Sequence, residues 1–150
     1  MPRLLRLTAV AALLVLLGCG GDGLRRVPVK GQITAKGTPV GNATVSFMPA
    51  DGTKGEGGIG STDAAGMYTL IGSRRGDVGV VPGKYAVRIS RFIDRDGTVL
   101  PSDAKQVDYP HAIESVPAPY SSPNSNYYVT VPESGGTLDI PIPVKLIGTK

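Results

Sequence analysis

Lys84-Tyr85-Ala86-Val87-Arg88-Ile89-Ser90 carries the sharpest periodicity in the chain. Tyr85, Val87 and Ile89 alternate with Ala86, Arg88 and Ser90, which sends one set toward a core and the other toward water, the period of a half-buried strand. Pro82 and Gly83 mark its start with backbone geometry that strand interiors avoid.

The same alternation recurs upstream. Val27, Val29 and Ile33 alternate with Lys30, Gln32 and Thr34, and Ala43, Val45 and Phe47 alternate with Thr44, Ser46 and Met48. Lys36 to Val40 lies between them as a Gly-Pro turn, so these two strands are expected to form a hairpin. Pro49 to Gly60, with five glycines in PADGTKGEGGIG, reads as a mobile loop. Ile59 to Thr62 suggests a short strand, and Asp63-Ala64-Ala65-Gly66 turns the chain into a further strand over Met67 to Ile71. Ser73 to Val81 is expected to be a loop with Arg74 and Arg75 at its tip.

Downstream, the pattern dissolves from Arg91 to Asn126, where Pro101, Pro110, Pro117, Pro119 and Pro123 punctuate a polar segment. A connection that long inside a compact domain is either functional or disordered. Alternation returns at Tyr127, Val129 and Val131, then at Leu138, Ile140 and Ile142. Pro141 and Pro143 lack the amide a central strand donates, so this last segment belongs at an edge or at a frayed strand end.

About seven short strands, turn signals roughly every 8–12 residues and no helical pattern after residue 26 predict an all-β, Ig-like β-sandwich. The 150 residues suffice for one core, expected over 27–146 with the long insert at 91–126. The 21 Gly and 13 Pro and the absence of Trp agree with many turns.

The amino terminus has a different character. Arg3 and Arg6 precede the apolar run Leu7 to Leu17, LTAVAALLVLL, as in a secretory signal, and the run is short for a membrane span. Leu16-Leu17-Gly18-Cys19 resembles the bacterial lipobox, which implies a signal peptide with its helix over 1–18, cleavage between Gly18 and Cys19, and a diacylglyceryl group on the Cys19 thiol. Cys19 is the sole cysteine, so no intrachain disulfide is available. Residues 19–26, glycine-rich and polar, are expected to be a flexible tether that lets the domain stand off the membrane. The formal charge of +4 counts Arg3 and Arg6; removing them from 16 basic residues leaves 14 against 12 acids, or +2. That scattered excess argues against nucleic acid as a partner.

Four phrases carry a family resemblance: Val29-x-Gly31-x-Ile33; Gly37-x-Pro39-Val40-x-x-Ala43-x-Val45-x-Phe47; Thr62-Asp63-x-x-Gly66-x-Tyr68-x-Leu70; and Pro82-Gly83-Lys84-Tyr85-x-Val87-x-Ile89. Together they resemble the carboxypeptidase regulatory-like domain of the transthyretin-like superfamily over about residues 27 to 90. With the lipobox, Val45-x-Phe47-x-Pro49 and Ala118-Pro119-Tyr120, the chain is similar to short lipoproteins of planctomycete-type bacteria. The resemblance implies a transthyretin-like fold and a noncatalytic appendage.

The residues themselves offer little catalytic chemistry. His111 is the only histidine, whereas zinc hydrolysis needs several ligands at set spacings and a Ser-His-Asp site needs an acid to orient its base. Asp94, Asp96 and Gly97 echo a calcium loop, with Asp103 and Asp108 as the only helpers, but the third acidic position and the distal Glu are missing, and a turn after the Lys84 strand explains the same residues. No enzyme activity, metal or cofactor is expected. Tyr109, Tyr120, Tyr127 and Tyr128 flank the insert. Alternation predicts Tyr127 buried and Tyr128 exposed, and Tyr109 and Tyr120 are expected chiefly to pack the insert onto the sandwich. The candidate ligand surface is Tyr109, Tyr120 and Tyr128 with Arg74 and Arg75. The expectation is an exported protein, lipid-anchored at the periplasmic face or the cell surface, whose loops bind an envelope protein or polysaccharide. The alternative is a structural component that packs with itself or with envelope proteins.

Overall fold

The computed structural model describes residues 22–74, 76–105 and 107–148; the expected signal helix, Gly18, Cys19 and Arg75 lie outside them. The described residues are all-β and contain no helix. In chain order the strands are β1 (Val29–Ala35), β2 (Thr38–Pro39), β3 (Thr44–Pro49), β4 (Gly58–Ser61), β5 (Met67–Thr69), β6 (Ile71–Gly72), β7 (Gly83–Ser90), β8 (Phe92–Ile93), β9 (Ile113–Glu114), β10 (Tyr128–Val131), β11 (Gly136–Thr137) and β12 (Ile140–Ile142). Seven of these span three residues or more.

One sheet is built around β1. It pairs in parallel with β11 and β12 and antiparallel with β2 and β5. The second sheet is antiparallel in the order β10-β7-β3-β4-β6, and β8 and β9 form a separate ribbon. The alternating inward residues of both large sheets, among them Val29, Ile33, Val45, Phe47, Tyr85, Val87, Ile89, Ile140 and Ile142, belong to one hydrophobic cluster. Two sheets sharing one core are compatible with a β-sandwich.

The expected hairpin between the first two long strands does not form. The chain doubles back at once through β2, where Thr38 pairs with Ala35, and then crosses to the other sheet. Buried Val40 and Ala43 line that crossing, and β3 pairs with β4 and β7 instead. Residues 67–72 also divide: β5 lies on β1, fully buried Leu70 marks the change, and β6 pairs with β4 in the other sheet. β12, with Pro141, lies at an edge, where a missing amide is harmless.

Residues 76–81 are tied to their neighbours by bridges from Val78 to Ile71 and from Val80 to Val27. The expected tether is likewise held over its described part. Asp22 accepts hydrogen bonds from the Leu24 amide at 3.0 Å, Arg26 Nη2 at 2.7 Å and Arg74 Nη1 at 3.2 Å. Arg26 Nε reaches Asp77 at 2.8 Å and Arg74 Nε reaches Glu56 at 3.2 Å. The hydrogen bond from Arg26 holds the Asp22 carboxyl well below the usual carboxylate range. Composition suggested a solvated linker because a run of glycines carries no sign of distant charge partners.

Candidate functional site

The two ends of the molecule differ. Val27, the β3–β4 loop, Arg74 and residues 76–79 lie at the end where β1 and β7 begin, and Asp22 is pinned there. The insert lies at the opposite end, where β7 finishes at Ser90.

The insert is ordered from residues that periodicity did not reveal. β8 and β9 pair through Phe92–Glu114 and Ile93–Ile113, and Val99 bridges back to Ile93. Asp94 to Thr98 is a tight turn: Gly97 N–H donates to the Asp94 carbonyl at 3.0 Å, and Thr98 N–H donates to Asp96 Oδ1 at 2.8 Å. That backbone hydrogen bond lowers the Asp96 carboxyl from its ordinary value. The calcium-like residues therefore serve a turn, and among the described residues no three His, Cys, Asp or Glu side chains gather to hold a metal.

A polar knot fastens the ribbon to the sandwich. The Glu114 carboxylate accepts from Ser90 Oγ, from the Arg91 amide at 2.9 Å and from the Val116 amide at 3.0 Å. Arg91 Nε donates to the Gly41 carbonyl at 3.0 Å, and its Nη1 donates to Ser115 Oγ at 3.2 Å. Fully buried Ser115 donates in turn to the Arg91 carbonyl at 2.7 Å. Burial lowers the Arg91 guanidinium from its ordinary value, with Glu114 opposing the shift. Glu114→Ala removes the acceptor for two backbone amides and a hydroxyl, and is expected to cost about 1–3 kcal/mol. Hydrogen exchange provides the check: amides over 91–116 should lose protection while those of β3 and β7 keep theirs.

Held this way, the ribbon opens an apolar depression of about 130 Å³ lined by Phe92, Leu100, Ala104, Lys105, Tyr109 and Ala112. Pockets for whole small molecules run to roughly 300–1,000 Å³, so this one admits a single ring or aliphatic side chain. Two aromatic rings and an ammonium at its lining suit a group with an apolar face and a polar or anionic rim. Nothing in that lining pairs a nucleophile with a base.

The residues expected to form a ligand surface do not converge. Tyr109 lines the depression. Tyr120 packs against the core with Tyr127, ring centroids 5.5 Å apart, and its carbonyl accepts from the Ile89 amide at 2.8 Å. Tyr127 is half-buried, and burial raises its phenol from the ordinary value. Tyr128 is 49% exposed on β10, with Lys84 Nζ 4.8 Å from its ring centre. Arg74 is at the far end, engaged by Asp22 and Glu56. Sequence reasoning missed Phe92, Leu100 and Lys105; the only signal was that Phe92 follows the strand by two residues, which alternation cannot carry past a strand end. Set against protein-family models, curated proteins and solved structures, the chain matches none.

Proposed function

We propose that the chain is exported, anchored by lipid on Cys19 to the periplasmic face of a bacterial membrane or to the cell surface, and that its domain is a noncatalytic binding module for an envelope protein or polysaccharide. In this reading the sandwich is of the carboxypeptidase regulatory-like, transthyretin-like kind. The order of Arg3 and Arg6, the apolar run to Leu17 and Gly18-Cys19 supports the anchor. Exposed His111, sited in a turn, supports a noncatalytic domain. The observation that carries the binding half is the ordered insert with its Phe92–Tyr109 depression at the end remote from Asp22. Loops on a rigid β scaffold are where binding usually resides.

The anchor is tested in cells fed an alkyne analogue of palmitate. The wild type should label and sediment with membranes, and Cys19→Ser should do neither; a Cys19→Ser chain that still labels sinks the anchor. For binding, full-length Cys19→Ser and Cys19→Ser/Tyr109→Ala chains are compared on immobilised envelope polysaccharides and envelope extracts. Losing one aromatic contact of about 1.4 kcal/mol should weaken capture roughly tenfold. Equal capture by both chains removes the depression from the proposal.

A further inference from the structure

The anchor and the docked linker together fix which end of the domain meets the membrane. Only Gly20 and Gly21 separate Cys19 from Asp22. Three extended residues span about 10 Å, which limits how far Asp22 can stand from a lipid-bearing Cys19. Asp22 is bound to Arg26 and Arg74, Arg26 to Asp77, and Arg74 to Glu56, with the Arg26 side chain only 15% exposed. Leu24 is half-buried and approaches Gly55. The linker's slack is thus taken up by the β3–β4 loop, Arg74 and Asp77.

We propose that this end of the sandwich lies directly on the bilayer, with Val78 at the interface, instead of standing off on a free tether. The inference rests on the anchor proposed above. Val78 is 73% exposed, and its bridge to Ile71, itself 57% exposed, makes a short exposed apolar row. Such a row is at home in the boundary between headgroups and acyl chains. The insert and its depression then point away from the membrane, toward whatever the module binds.

The test uses the full, lipid-modified protein in phosphatidylcholine vesicles containing nitroxide-labelled lipid. Cys19 is the sole cysteine and its sulfur is consumed by the lipid, so Val78→Cys or Thr38→Cys supplies a unique thiol for a fluorophore. Thr38 is the exposed control, because it pairs with Ala35 at the far end of β1, roughly 20 Å along the strand from Val29. Lipid quenching should be several-fold stronger at 78 than at 38. Adding Asp22→Ala and Arg26→Ala, with melting confirming that the domain is folded, should erase that difference. Equal quenching at the two sites in a protein whose Cys19 lipid is verified by mass spectrometry overturns the docking and leaves the anchor standing. A difference that survives loss of the Asp22–Arg26 pair overturns the role given to the linker. A chain with unmodified Cys19 sinks the anchor, and the docking with it.

Discussion

Replacing Phe47 with alanine is expected to lower the unfolding free energy by about 3–5 kcal/mol. Phe47 is 1% exposed on β3, in the sheet of β7. Its ring centre lies 6.3 Å from that of Tyr68 in the other sheet and 5.8 Å from that of Tyr85 beside it, both pairs tilted. One side chain therefore joins the two sheets, and truncation leaves a hole that two large phenols cannot fill without leaving their own hydrogen bonds. Tyr85 Oη donates to the Val81 carbonyl at 2.6 Å, and Tyr68 Oη donates to the Leu138 carbonyl at 2.6 Å. Domains of this size are stable by about 5–15 kcal/mol, so the loss is a large share of the total. Urea titration gives the number; Phe47→Leu should cost less, and Ser46→Ala on the opposite face should stay within about 0.5 kcal/mol. A Phe47→Ala loss no larger than that of Ser46→Ala contradicts the two-sheet core.

Much of that core was legible because alternation fixes the face on which a strand is buried. Val29 and Ile33, Val45 and Phe47, and Tyr85, Val87 and Ile89 all face inward as their spacing indicates. Which sheet a strand joins is another matter, since the period is identical in both. The crossing at Val40–Ala43 and the division at Leu70 each depend on contacts with remote segments that leave no local pattern. The parallel partners of β1 come from more than a hundred residues downstream, as in the pairing of Ile33 with Ile140. At the candidate site Tyr109 stood out as an aromatic residue in a polar stretch. Exposed Phe92 and buried Leu100 did not, because their placement depends on a knot in which one carboxylate, Glu114, replaces the regular ladder that periodicity detects.

Gly31→Ala is expected to cost about 3 kcal/mol, for a reason that lies in the backbone. The run from β11 to β12 along β1 is interrupted at Leu138 and Asp139. Leu138 N–H still donates to the Lys30 carbonyl at 2.7 Å, but the Gln32 amide finds Asp139 Oδ1 at 2.9 Å in place of a main-chain carbonyl. The Leu138 carbonyl turns inward over Gly31 and takes the Tyr68 hydroxyl. A Cβ on residue 31 would sit 2.0 Å from that oxygen, 2.6 Å from its carbon and 3.0 Å from Tyr68 Cε1. The obstacle is main chain, so no rotamer change relieves it. Moving Leu138 away would strip a buried phenol of its acceptor, and burial already holds Tyr68 in its neutral form by raising it far above the ordinary tyrosine value. A double-mutant cycle separates the clash from the lost hydrogen bond: Tyr68→Phe should cost about 1 kcal/mol in the wild type and close to nothing in Gly31→Ala, where the bond is already broken. If Gly31→Ala unfolds at the wild-type urea midpoint, or Tyr68→Phe costs the same in both backgrounds, the inward carbonyl does not hold β1 to its parallel neighbours.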